Sequence, residues 1–414
     1  MNRLDDFFEE TWQFYRKPLN NYTKTIVRRY DDYLVRKKIV REEIAKETKK
    51  IGLNKQIILP TYPPLPKENP VFTKPKRIAF IHEDVGHITG GRYYTYFIIS
   101  ALLELGHEVT VYSNKKAVFS HEFDGYKKPN FKIVTQNASQ LAMIKIPEAD
   151  VFMGSPIHGA MSAIKNAQKY NKPCFVLIFD PFPMMNKFIG KRKYIGWQHL
   201  VKDLRESDTD VISLCNETSK YIYDWLKKTQ DKVHPLYPCI NSAELSKVKE
   251  QKREKYALFI SRLTSHKRFQ DVVIACKRAN IKLKVISSIN GINAQEVVKK
   301  QNANSLVEFH LRVNDKKKFE MIKQASVVIN GSIFEGFGIY VAEAIACGTP
   351  FVGYDYITFR EIRDYAGAKN IYLAKPKNID NLTSKLKLAI KEENFQKPSN
   401  MFDFERMVER LSGI

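Results

Sequence analysis

The chain has 414 residues, 43% of them hydrophobic, enough to fill two ordinary domain cores. Its formal charge of +23 calls for an anionic partner (nucleic acid, anionic lipid or a phosphorylated substrate) or for lysines spread over a solvated surface. No run of about eighteen apolar residues is present to span a membrane as a helix. The charged start "MNRLDDFFEETW" has no apolar signal core, which predicts a cytoplasmic protein.

In chain order, residues 1–75 read as a helical appendage. Leu4, Phe7, Phe8, Trp12 and Tyr15 recur at helical spacing, and the proline-rich "ILPTYPPLPKENPVFTKPK" follows as an extended connector. From Arg77 the pattern becomes strand–helix alternation. "RIAFIHE" is a strand, "GGRYYTYFIISALLELG" a helix, and "HEVTVYSN", "ADVFMGS", "KPCFVLIFD" and "DVISLCN" are further strands. A second series runs through "KYALFISRL", "LKVISSIN", "LVEFHLRV", "SVVINGS", "PFVGYD" and "IYLAK". Apolar strands alternating with helices predict an α/β chain with parallel sheets covered on both faces. Two Rossmann-like, doubly wound domains are therefore expected, residues 76–240 and 241–398, with a polar linker near 235–254. Residues 399–414 are expected to form a helix crossing back to the first domain, capped by Ser399 or Asn400, with Met401, Phe404, Met407, Val408 and Leu411 on one face.

Chemistry is expected where strand ends and helix starts meet in a cleft. "SIFEGFGIYVAEAIACG" is such a place, a strand followed by a glycine turn and a helix. The helix N-terminus, with the N–H groups of its turn, suits a phosphate, and Gly336 and Gly338 let it approach the backbone. Glu335 and Glu343 lie eight positions apart, roughly 12 Å along a helix, which matches one carboxylate per sugar of a nucleotide sugar. Two solvent-facing glutamates would give the same spacing. "SRLTSHKRF" adds Arg262 and Lys267 at another strand-to-helix loop, a basic pair suited to a diphosphate. "TGGRYYTY" sets Gly90 and Gly91 at the first such turn, where a phosphate or acceptor could approach.

"EGFGIYVAEAIACGTPFV" and "SRLTSHKRF" resemble the donor-site signatures of family-four, retaining GT-B glycosyltransferases (glycosyl transferases group 1). "HITGGRYYTYFIISALLELGHEVTVYS" is similar to that family's glycine loop, first helix and second strand, and the likeness covers roughly residues 77–392. The resemblance implies that Glu335 contacts the donor sugar and Glu343 the ribose. Arg262 and Lys267 would hold the diphosphate with the N–H groups of Phe337, Gly338 and Ile339, and the loop at Arg312 and Val313 would meet the base. It also implies front-face attack with retention and no metal or other cofactor, with a nucleoside-diphosphate sugar as donor substrate. Where the family often has a histidine after the fifth strand, this chain has "LIFDPFP". Asp180 there takes the sugar contact or caps a turn, and Glu361 is a similar candidate.

Other features have competing readings. Asp208–Asp210 in "SDTDV" could be a metal-binding Asp-x-Asp, although it enters a strand. His82 and His158 read as hydrogen-bonded structural histidines. The five cysteines are widely spaced, without zinc or dithiol spacing, and read as buried thiols. In "PFPMMNKFIGKRKYIGWQHLVKDLR", aromatic and basic residues interleave, as on a surface touching anionic lipid or on a core helix with a charged face. The expected function is a glycosyltransferase with a lipid-linked or glycan acceptor. Rival readings are a basic nucleic-acid-binding protein, disfavoured by the carboxylates of the cleft, and a nucleotide-sugar-binding scaffold or epimerase on the same fold. The sequence does not define an oligomeric state.

Overall fold

The computed structural model describes residues 70–414 apart from 84–89, 115–124, 136, 190–194, 288–291, 312, 394 and 397. The helical appendage expected over 1–75 lies outside the described residues up to 69. Phe72, in the connector, is buried against Phe175 with ring centroids 5.0 Å apart, so this part of the connector is docked on the first sheet.

Strands β1 (Arg77–His82), β2 (Glu108–Ser113), β3 (Asn130–Ile133), β4 (Val151–Ser155), β5 (Cys174–Ile178), β6 (Asp210–Ser213) and β7 (Val233–Pro235) form a seven-stranded sheet, in the order β3-β2-β1-β4-β5-β6-β7. Strands β8 (Glu254–Ile260), β9 (Lys282–Ser287), β10 (Val307–Leu311), β11 (Ala325–Asn330), β12 (Phe351–Tyr354) and β13 (Ile371–Ala374) form a six-stranded sheet, in the order β10-β9-β8-β11-β12-β13. Every pairing is parallel; Phe80 of β1, for example, faces Val111 on one side and Met153 on the other. The central strands are buried almost throughout, because helices cover both faces, and so read as continuous apolar runs. This is the doubly wound arrangement twice over. Its order reverses between β1 and β4 in one sheet and between β8 and β11 in the other.

β3 and β7 were not legible as strands. β3 is an exposed edge, and β7 is three residues ending in proline, which an edge strand tolerates because one of its sides has no ladder to complete. The stretch read as a polar linker also buries Leu236, Tyr237, Cys239 and Ile240. Among the described residues all five cysteines are free and buried.

The described residues, from 70 onward, belong to one compact unit. One apolar cluster runs from the first sheet through Tyr237, Phe337 and Phe402 to Val328 and Phe351 of the second. Another fills the second domain's opposite face around Phe259, Val285 and Ile329.

The terminal helix spans Phe404–Ser412, with Asp403 at its N-cap. It starts later than Ser399 or Asn400 would give. The Asp403 N–H donates to Asn400 C=O at 3.1 Å, and Phe402 C=O accepts from Ile240 N–H at 2.8 Å, so residues 400–403 are held in a turn. Phe404 lies against Phe97 of the helix Gly90–Glu104 (6.0 Å between centroids) and against Tyr126 (4.7 Å), all in the first domain. Phe404→Ala is expected to destabilise the fold by about 3–5 kcal/mol in urea unfolding, the usual cost of emptying a buried aromatic site. A loss below about 1 kcal/mol would show that this contact does not hold the helix.

Candidate active site

The loops at the two reversal points supply the site. After β11 the chain turns through Gly331–Gly338 into the helix Ile339–Ala346. Gly338 caps that helix with φ +111°, a conformation that side-chain-bearing residues avoid. Gly336 meets the first domain directly. A Cβ there would collide with the Asp180 carboxylate and approach the Phe179 carbonyl to 2.8 Å. The two halves thus touch backbone to side chain at the centre of the cleft.

Glu335 stands one residue before that contact. Its Oε1 accepts from Lys267 Nζ at 2.5 Å, Tyr340 OH at 2.6 Å and Ser332 Oγ at 2.7 Å. Burial alone would raise the Glu335 carboxyl; the Lys267 ammonium and the two hydroxyls outweigh it and hold it below the usual carboxylate value. Lys267, in the short turn Ser265–Lys267 after β8, is therefore tied to the carboxylate expected to serve the sugar. Arg262 is exposed, and among the described residues its side chain makes no hydrogen bond. Spacing alone gave no hint that Glu335 and Lys267 pair.

Asp180 follows β5 and completes the cluster. Its carboxyl is pushed up to about 6, first by burial and then by the Glu335 charge, against the pull of Lys267 and Arg262. The candidates Glu335, Lys267, Arg262 and Asp180 are thus brought together. Gly90 faces Ile339 across the cleft, with a would-be Cβ 4.0 Å from its Cδ1. Gly91 instead lies against the Phe179 ring, where a Cβ would come within 2.7 Å, so close packing suffices to account for that glycine.

Glu343 is placed differently from a free ribose ligand. It is 2% exposed, and its Oε1 lies 2.6 Å from Lys318 Nζ. Lys318, on the helix Asp315–Gln324, also bonds Asp315 Oδ1 at 2.7 Å. Asp315 Oδ2 accepts from Tyr93 OH and, at 2.8 Å, from Asn241 Nδ2. Tyr93 belongs to the first domain's Gly90–Glu104 helix, so this buried network joins the halves. Burial works to lower Lys318, and the two carboxylates outweigh it and raise it. Burial raises Glu343, Lys318 pulls it back and nearby Asp315 adds to the rise. No sequence signal marked Lys318, which sits in the surface-like run "DKKKFE".

Phe337 is buried between Tyr237 and Phe402, with centroids 5.7 and 5.9 Å away, leaving its backbone at the turn. Val313 packs on the interface cluster, and Arg312 lies outside the described residues. Glu361 has a structural task. Its carboxylate accepts from the N–H groups of Asn216 (2.7 Å) and Glu217 (2.9 Å), opening the first-domain helix Asn216–Leu226, and from Tyr237 OH. His158 donates its backbone N–H to Glu83, and buried His82 meets Tyr96 edge-on at 5.8 Å. Asp208 and Asp210 are engaged by Lys232 at 2.7 and 3.3 Å, and Asp210 by His234 at 2.6 Å, at the start of β6. Among the described residues no group of three or more His, Cys, Asp or Glu is placed to hold a metal.

The aromatic and basic segment folds as helices Phe182–Ile189 and Ile195–Glu206. Phe188 packs on Tyr356 at 4.8 Å, Trp197 on Trp225 at 5.3 Å, and Leu200 is buried. These described side chains pack within the protein. Residues 190–194, which carry Lys191, Arg192 and Lys193, lie outside the described part. No described helix is long and apolar enough to cross a membrane.

Solved structures share this two-sheet arrangement. HepE of Anabaena, solved with UDP and glucose, aligns with TM-score 0.63 at 14% identity, over 81% of this chain and 98% of that one. Sucrose-phosphate synthase of Thermosynechococcus elongatus gives 0.61 at 14% identity, over 81% and 94%. A glycosyltransferase of Rickettsia africae gives 0.59 at 14% identity, over 81% and 93%. At such identities the likeness establishes the fold, which is GT-B. No curated protein matches the chain significantly in sequence. The family described as glycosyl transferases group 1 matches residues 241–402, the part containing "SRLTSHKRF" and "EGFGIYVAE". The chain is a transferase with the GT-B fold, and residues 241–402 of its second domain match glycosyl transferases group 1.

Proposed function

We propose that the protein transfers a sugar from a nucleoside-diphosphate sugar to a glycan or lipid-linked acceptor, with retention and without a metal ion. The observation that carries this reading is the Glu335–Lys267 pair at the glycine turn, with Asp180 and Arg262 beside it. The acceptor hydroxyl attacks the anomeric carbon from the face the diphosphate leaves. The bond to the β-phosphate oxygen breaks, its electron pair stays on that oxygen, and the acceptor's proton passes to it. Arg262, Lys267 and the N–H groups of Phe337, Gly338 and Ile339 receive the growing negative charge. Glu335 holds the sugar hydroxyls and faces the positive charge that develops at the anomeric carbon. Glu343 serves the ribose with the oxygen not bonded to Lys318. A lipid-linked acceptor at an anionic, cytoplasmic membrane face would suit the +23 charge.

A donor panel tests the reading: UDP-, ADP- and GDP-sugars are scored for nucleotide release in EDTA, with and without a lipid extract. Release from at least one donor is expected. No release from any, or release only when manganese replaces EDTA, would reject the reading or its metal independence.

Asp180 supplies a pH test. Its carboxyl lies near the expected diphosphate and ionises near pH 6, so UDP-glucose binding should weaken as pH rises through about 6. Asp180→Asn should flatten that dependence and bind about three- to tenfold tighter at pH 8, the scale of one screened charge pair. A dependence unchanged in the variant would assign it to another group.

A further inference from the structure

We infer that Tyr340 is a positioning residue for sugar transfer: its hydroxyl locks the Glu335 carboxylate so that Oε2 alone is left to meet the donor sugar. The inference rests on the donor-site reading above and adds to it a residue that reads in sequence only as one more apolar position of a helix.

Three donors converge on one oxygen, Glu335 Oε1, while among the described residues Oε2 has no hydrogen-bond partner. The side chain keeps 11% exposure, so the carboxylate is reachable although the residue is buried. The three donors are not equivalent. Lys267 is a charge on a flexible stem, able to follow a carboxylate over several orientations. Ser332 Oγ has one proton and two acceptors within reach, Glu335 at 2.7 Å and Asn330 Oδ1 at 2.6 Å. Tyr340 is rigid. Its ring is buried between Phe351 and Phe359, with centroids 6.0 and 6.1 Å away, and it rides on the first turn of the Ile339–Ala346 helix. The bond from its hydroxyl therefore closes the Gly336–Gly338 turn with a fixed length. It sets the carboxylate plane where an ammonium alone would set only its distance. Because neutral donors share Oε1, Lys267 keeps protons for the diphosphate.

Tyr340→Phe keeps the ring and removes only the donor. UDP binding and wild-type turnover of the donor panel are measured first. A wild type that neither binds UDP nor turns over any donor overturns the functional reading, and this inference with it. With an active wild type, Tyr340→Phe should lower kcat about 10- to 100-fold, the effect of one hydrogen bond to a charged group, while UDP affinity and donor KM stay within about threefold. Ser332→Ala should cost less than Tyr340→Phe, since its proton is shared. Losing a donor to the charged form raises the carboxylate's pKa, so the acid limb of kcat should move to higher pH in Tyr340→Phe. A kcat within about twofold of wild type with the same acid limb would overturn the inference. So would a parallel loss of UDP binding, which would mark a packing role.

Discussion

Glu335→Gln is expected to reduce sugar transfer by about 10²- to 10³-fold, the scale on which one preorganised electrostatic group acts, while UDP-glucose still binds. Gln keeps the shape of the side chain, and an acceptor oxygen for Tyr340, but removes the charge. Two consequences separate. The anomeric carbon loses its facing carboxylate, so chemistry slows. Lys267 loses its partner at 2.5 Å and becomes freer for the diphosphate, so donor affinity holds or improves. Steady-state rates with calorimetric binding of UDP-glucose check both. Transfer near the wild-type rate would refute the role given to Glu335, and joint loss of binding and rate would mean that the turn needs the charge to form.

The second large effect belongs to stability. Lys318→Met should cost about 3–5 kcal/mol at pH 8, because Asp315 and Glu343 would stay buried with no cation between them. The pH dependence has a definite sign. Without Lys318 both carboxyls would titrate above their unfolded values. The variant would then be most stable at low pH and lose stability as pH rises through those raised values. Its deficit against wild type should therefore shrink as pH falls through those raised values, where the carboxyls take up protons. Urea unfolding at two pH values measures this. A deficit under about 1 kcal/mol at pH 8 would mean the ion network is open to water.

The sheets were legible because parallel strands covered on both faces leave unbroken apolar runs such as "RIAFIH" and "CFVLI". Edge strands carry no such run, and β3 shows an exposed pattern with little to distinguish it from a loop. Motif spacing brought Glu335, Lys267 and Arg262 to one place, since each follows a strand at a reversal point. It could not say that Lys267 bonds Glu335, because pairing across strands depends on side-chain direction. Lys318 and Tyr340 were missed for opposite reasons. A lysine within a run of lysines reads as solvated, and a tyrosine among apolar residues reads as core, yet each places one polar atom on a buried carboxylate. Glu361 was noticed as a carboxylate near the site, but that its task is to cap a helix of the other domain depends on tertiary structure alone.

That cap affects how the halves come apart. A carboxylate on two helix N–H groups is a contact that water can replace on both sides, and it contributes about 1 kcal/mol, up to about 2 when partly buried. Salt weakens such a contact by screening the helix end. The buried tie from Tyr93 through Asp315 and Lys318 lies out of reach of that screening, so added salt is expected to loosen the joint at Glu361 while the halves stay together.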